Sequence, residues 1–192
     1  MKVGRFRSAQ GAERLGVVLG TEPTLKVLDL SSALAAHHAG SWFPGDMDEL
    51  IDSGARGLAL AYETIAWASR SGEPGWLHDE TSVDWMIPVN VRNCIATGRN
   101  FSKHVAEARD YWKKQGVAEP HRDFPTGFTK LNSVLVPTRT PVRKPPQTQM
   151  FDYEVEAAAI IGSSVQDIPA KQARAAIFGY TVFNDLSARD WQ

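Results

Sequence analysis

Phe151-Asp152-Tyr153-Glu154-Val155-Glu156-Ala157-Ala158-Ala159-Ile160-Ile161-Gly162 is the stretch on which the reading of this chain turns. It predicts a strand from Tyr153 to Ile161, closed by Gly162. Side chains at i and i+2 of a strand leave the same face, so Glu154 and Glu156 point the same way. The run from Ala157 to Ile161 is uniformly apolar, as in a strand covered on both faces. Carboxylates in such a setting need a compensating partner, because burying unpaired charge is expensive. A second apolar run, Gly179-Tyr180-Thr181-Val182-Phe183, predicts a buried strand that delivers Asn184 and Asp185 at its C-terminal end. Three converging carboxylates suit a hard divalent cation: Mg²⁺, with Mn²⁺ or Ca²⁺ as substitutes. Two plainer readings stay open. The glutamates can line a solvated strand face with Val155 inside, and Asp185 can neutralise the dipole of a helix opening at Leu186.

Working outward, Ala170 to Ala176 reads as a helix after Pro169, and Ser187 with Asp190 forms an S-x-x-D signature that should open another. The chain reaches Gln192 two residues later, so the fold is expected to be unfinished there. Upstream, Pro137, Pro141, Pro145 and Pro146 space an extended arm carrying Arg139, Arg143 and Lys144. A helix is predicted from Asn100 or Ser102 to about Gln115, with Lys113 and Lys114 in its last turn and Gly116 as its stop. The polar stretch from Gly116 to Gly127 is expected to be a surface loop able to act as a lid.

The first eighty residues predict short strands near Val3 to Phe6, Leu15 to Leu19 and Leu25 to Leu30, followed by helices. Asp46 is placed to cap a helix reaching Ile51, with Glu49 completing a capping box and Gly54 ending it; Leu58 to Ser69 predicts a second helix. A boundary falls between about Thr81 and Asn90. It divides an N-terminal α/β domain, 1–85, from a second domain, 86–192.

The 192 residues, 43% of them hydrophobic, can bury a substantial core, and a formal net charge of −1 offers no general attraction for polyanions. Nucleic acid and membrane are therefore poor partners, and small molecules better ones. A single cysteine, Cys94, forms no internal disulfide and no thiolate zinc site, which fits a cytoplasmic protein; as a residue it reads as a small buried apolar group.

His104 and Glu107 lie at i and i+3 of the predicted helix and share a face. That spacing suits a general base and the carboxylate that orients it. It equally suits a histidine at the core edge beside Tyr111 and Trp112, with Glu107 pairing Lys103. Arg99 and Lys130, in turn-like stretches, are candidates for holding a substrate carboxylate. Gly98-Arg99-Asn100-Phe101 has too few glycines for a nucleotide site. His37-His38 lacks carboxylates at ligand spacing and reads as surface.

Four blocks together resemble the fumarylacetoacetate hydrolase family: Thr97-Gly98-Arg99-Asn100-Phe101-Ser102-Lys103-His104-Val105-Ala106-Glu107, Phe128-Thr129-Lys130, Phe151-Asp152-Tyr153-Glu154-Val155-Glu156, and Asn184-Asp185-Leu186-Ser187-Ala188-Arg189-Asp190. They occur in the family's order. The resemblance implies that Glu154, Glu156 and Asp185 ligate Mg²⁺ or a similar ion, that His104 and Glu107 activate water, and that Arg99 and Lys130 contact substrate. The implied activity is metal-dependent hydrolysis of a C–C bond in an acylpyruvate or related diketo acid. An isomerase or decarboxylase of 2-oxo acids using the same metal site is the alternative, and a catalytically silent truncated binding module is the third. The implied fold class is α+β: a mainly β catalytic domain, a mixed β-sandwich roll of which 86–192 is the first part, behind the small N-terminal α/β domain. A homodimer is expected when the chain is complete. The family continues past this point with a lysine near the metal and a threonine-glycine segment, so a truncated chain is expected.

Overall fold

The computed structural model describes residues 1–72, 74–98, 101–114, 116 and 124–191, with the backbone alone at 74, 104, 107, 108 and 110–112. They cluster into two compact units, Met1–Asn90 with Val136–Gln192, and Val91–Leu135.

The first unit begins with strands β1 (Val3–Arg7), β2 (Glu13–Leu19) and β3 (Lys26–Asp29), followed by helices α1 (Leu30–His37), α2 (Met47–Asp52) and α3 (Gly54–Ser71), then β4 (Leu77–Asp79) and β5 (Asp84–Trp85). The strands form one antiparallel sheet in the order β4-β3-β2-β1-β5. Alternation along β2 sends Leu15 and Val17 inward, where they meet Leu28, Leu30, Leu34, Met47, Leu50 and Ala61 in the main core. Capping fixes where the helices start. Asp29 accepts from Ser32 N at 2.9 Å and opens α1, while Asp46 accepts from Glu49 N at 2.8 Å and opens α2. Glu49 completes the box one residue early, taking the N–H of Gly45 at 2.8 Å rather than that of Asp46. Gly54 and Gly72, at φ +54° and +66°, take the left-handed backbone that lets α3 follow α2 directly and then stop.

The same unit resumes with β8 (Phe151–Asp152), β9 (Val155–Ile161), α5 (Ala170–Ala173), β10 (Ile177–Asn184) and β11 (Ser187–Ala188), counting β6 and β7 of the second unit in chain order. Strands β9 and β10 pair antiparallel, with Phe183 opposite Glu156 and Asn184 opposite Val155. Strands β8 and β11 pair likewise, Ser187 opposite Asp152. Gly162 allows the close return at the head of this ribbon, since a Cβ there would come within 2.8 Å of the Phe178 Cβ. Phe178 itself packs against the main core.

The second unit carries β6 (Cys94–Gly98), α4 (Ser102–Lys114) and β7 (Thr126–Lys130). The two strands form an antiparallel pair with Cys94 opposite Lys130. Helix α4 starts at Ser102 and precedes Gly116 at φ +68°. Cys94 is half-buried rather than buried. Most of the expected lid loop falls outside the described residues.

Four further expectations of local structure change. The expected strand from Tyr153 is broken, since Tyr153 and Glu154 lie between β8 and β9. The apolar run of β9 is not covered on both faces: burial alternates, and Val155, Ile161, Tyr180 and Val182 are exposed, Val182 by 78%. Ser187 opens no α-helix; it joins the two-residue strand β11 and a 3-10 turn, Arg189–Trp191, follows. His37 and His38 are half-buried, both rings within reach of the buried Thr64 hydroxyl, with His37 stacked on Trp67. No helix among the described residues is long and apolar enough to cross a membrane.

Candidate metal centre

The register of β9 and β10 builds the acidic cluster. One step beyond the Asn184–Val155 pair, Asp185 faces Glu154, and the Asp185 N–H donates to the Glu154 carbonyl at 2.8 Å. Directly opposed residues of an antiparallel pair project from one face, and Glu156, two residues from Glu154, projects with them. One carboxylate oxygen from each of Glu154, Glu156 and Asp185 lies within 4.8 Å of the others. Asp185 is 3% exposed, and the two glutamates are half-buried.

The donor set fits a hard divalent cation. Oxygens no more than 4.8 Å apart place their common centre within about 2.8 Å of each, close to the ~2.3–2.6 Å of Ca²⁺–oxygen bonds and reachable for Mg²⁺ with a small contraction. All three ligands are anionic oxygens, which Mg²⁺, Ca²⁺ and Mn²⁺ accept and softer metals do not prefer.

Beside the cluster lies an arginine that sequence reasoning did not single out. Arg189 forms an ion pair with Glu154 through Nη1, and donates from Nε and Nη2 to Asp152 Oδ2 at 3.1 and 3.0 Å. Burial works against its cation, but the hydrogen bonds to Asp152 and Glu154 outweigh that and hold the guanidinium above its ordinary value. Asp152 is held below the usual carboxylate range by the Tyr153 N–H, then by Arg189. The next residue, Asp190, reaches the other way: it accepts from the buried Thr148 hydroxyl and from Gln149 N at 2.8 Å, and both bonds keep its carboxyl low.

The remaining candidates belong to the second unit. Lys130 is half-buried on β7, two residues from Phe128 and on the same face, with Nζ 5.4 Å from that ring's centre. His104 and Glu107 sit three apart on the backbone of α4, but their side chains, like the whole of Arg99, lie outside the described residues. The structure therefore brings together the three carboxylates, and adds Arg189 and Asp152 to them.

With this geometry in place, a sequence profile described as "Fumarylacetoacetate (FAA) hydrolase C-terminal" matches residues 93–192. The chain belongs to the fumarylacetoacetate hydrolase family. Among curated members, the oxaloacetate tautomerase YisK of Bacillus subtilis is 29% identical over 184 residues, 93% of this chain and 58% of that protein. The mitochondrial oxaloacetate tautomerase FAHD2A of Homo sapiens is 33% identical over 150 residues, 78% of this chain and 43% of its own. Among solved structures, the fumarylacetoacetate hydrolase of Exiguobacterium antarcticum superposes with a TM-score of 0.57 at 26% identity, covering 100% of this chain and 58% of that one. The chain thus has the family's fold and spans about half the length of these relatives.

The family's metal-binding character agrees with the cluster, which strand alternation at Glu154 and Glu156 and the position of Asp185 had already pointed to and the four sequence blocks reinforced. Arg189 and Asp152 stand inside two of those blocks. Nothing in their spacing marks them, because 37 residues separate them and only pairing of β8 with β11 joins them.

Proposed function

We propose that this chain supplies the cation-binding part of an enzyme that moves a proton on a small 2-oxo acid, interconverting its keto and enol forms. The observation that carries the reading is the Glu154–Glu156–Asp185 cluster, a preformed set of three anionic oxygens on one face of the β9–β10 ribbon. Its support among relatives is that two proteins named as oxaloacetate tautomerases align over 93% and 78% of the chain.

A divalent cation held by the three carboxylates supplies Lewis-acid polarisation of a substrate's oxo and carboxylate oxygens. The chain's own residues do the rest. His104 is assigned the proton transfer: its imidazole takes a proton from the carbon next to the oxo group and returns one to oxygen, so that no atom is gained or lost. Glu107, three positions on along α4, is assigned the orienting of that imidazole. Lys130 and Arg99 are assigned the substrate's second carboxylate, Arg99 as a bidentate fork and Lys130 as a point charge. Arg189, itself bonded to Asp152, holds the Glu154 side chain.

Hydrolysis of a C–C bond in an acylpyruvate is the second reading, favoured by the fold shared with a protein titled fumarylacetoacetate hydrolase. There His104 takes a proton from water instead of from carbon, and the two reactions part at that step.

The test follows the keto–enol equilibration of oxaloacetate and the cleavage of an acylpyruvate with this chain, with Mg²⁺ or Mn²⁺ and with a chelator. The expected result is equilibration that needs metal and is lost in Asp185→Asn and His104→Ala, with cleavage slower. Metal-dependent cleavage without equilibration reverses the order of the two readings. Metal and oxalate binding with neither reaction identifies a silent binding module.

A further inference from the structure

We propose that Arg189, anchored by Asp152, is a positioning residue that fixes Glu154 as a ligand and so sets the affinity of the carboxylate cluster for a divalent cation. The proposal rests on the metal-binding reading above and extends it to a residue with no ligand atom of its own.

The backbone explains why Glu154 needs such a residue. Glu154 lies in the two-residue break between β8 and β9, where neither ladder holds it. Its carbonyl is tied by the Asp185 N–H, but its side chain is held through Arg189. Arg189 is well placed to act as a fixed point. Its N–H donates to the Met150 carbonyl at 2.8 Å, β11 pairs with β8 immediately before it, and Asp190 immediately after it grips Thr148 and Gln149. The segment entering the cluster and the segment leaving it are thus clasped together on both sides of the guanidinium.

Charge and position predict opposite results when Arg189 is removed. A cation beside a metal site opposes metal binding, and its removal would also leave Asp152 as an extra anion. On charge alone, Arg189→Ala therefore tightens metal binding. The guanidinium, however, also bridges Asp152 and Glu154, so positioning pulls the other way, and a fall in affinity on its removal is the signature of the lost bridge rather than of charge. The bridge is a planar fork spanning two carboxylates, which fixes the orientation of a ligand as outer partners of metal ligands do, at roughly 10–100-fold in affinity.

The experiment is calorimetric titration of the chain with Mn²⁺ and with Mg²⁺, with melting curves in chelator to show that each variant folds. For Arg189→Ala we expect affinity to fall about tenfold or more. Arg189→Lys keeps the charge but cannot span both carboxylates, so charge alone predicts no change and positioning predicts a severalfold loss. It also serves where the alanine variant does not fold. Arg139→Ala, which removes the remote ion pair to Glu80, is the control for lowered stability and should bind metal as the unaltered chain does. Unaltered or tighter binding in both Arg189 variants overturns the proposal and leaves the metal site standing. Failure of the unaltered chain to bind either ion overturns the metal reading and this proposal together.

Discussion

Asp185→Asn is the perturbation that bears hardest on the acidic cluster, because the side chain is nearly buried, the replacement is close to isosteric, and an anionic acceptor oxygen becomes a neutral NH2 donor. A dication about 2.8 Å from a carboxylate at an effective dielectric of 20 is attracted by about 12 kcal/mol before hydration is counted. A water that takes the amide's place recovers most of this. Even if roughly nine-tenths is recovered, more than 1 kcal/mol is lost, which is about tenfold in affinity. The assay is a thermal melt with and without cation, beside calorimetric titration. At a cation concentration about 100 times the dissociation constant, binding stabilises the unaltered chain by about 2.7 kcal/mol. At ~2–4 °C per kcal/mol for a chain of this size, its melting temperature rises by roughly 5–11 °C over the value in chelator. In Asp185→Asn at the same concentration the gain falls to about 1.4 kcal/mol or less, so the rise is halved or lost. Asp84→Asn, an exposed carboxylate on β5, should leave the rise intact. A dissociation constant for Asp185→Asn within twofold of the unaltered chain would show that the three carboxylates do not act as one ligand set.

Two further outcomes concern the frame around the site. Leu34 is fully buried on α1 among Leu15, Leu30, Met47 and Leu50, so Leu34→Ala should cost about 2–5 kcal/mol and lower the urea midpoint; a loss under about 0.5 kcal/mol would contradict the packing described. Stability should also fall in acid. Glu80 is held low by the Trp85 indole N–H and then by Arg139, and Asp190 by the Thr148 hydroxyl and the Gln149 N–H. A carboxyl lowered in the folded state adds stability that is fully present above its unfolded value of about 4 and is lost as the pH drops through the folded value. The urea midpoint should therefore be level above about pH 5 and decline below about pH 4, with a shallower decline in Glu80→Gln and Asp190→Asn.

Where the chemistry is local, the sequence was sufficient. The strand over Leu15 to Leu19 formed, Asp46 capped α2, and Gly116 followed the end of α4, because each depends on residues within one turn or one strand. Where a distant group competes, local rules failed. Ser187 and Asp190 have the spacing of a helix cap, yet the Asp190 carboxylate finds the Thr148 hydroxyl and the Gln149 N–H across the ribbon, and the backbone goes to β11 instead. The uncovered face of β9 and β10 was illegible for another reason: an apolar run shows that a strand can be covered on both sides, not that anything in the chain covers it.

Arg189 shows how much more one pairing would have revealed. The register that sets Asn184 opposite Val155 is the same register that sets Ser187 opposite Asp152, so the two ladders are one pairing interrupted over Tyr153–Glu154 and Asp185–Leu186. Once the carboxylates at 154 and 185 are taken to converge, continuing that register places residues 187–189 beside 150–152. The only cation in the returning segment then stands next to the carboxylate that leads into the cluster. At the interruption the Asp185 N–H still holds the Glu154 carbonyl, and the ion pair from Arg189 adds a hold on the Glu154 side chain. Because that ion pair acts on the side chain of a candidate ligand and not on the buried core, altering the arginine should be read in metal affinity before it is read in the melting temperature of the metal-free chain.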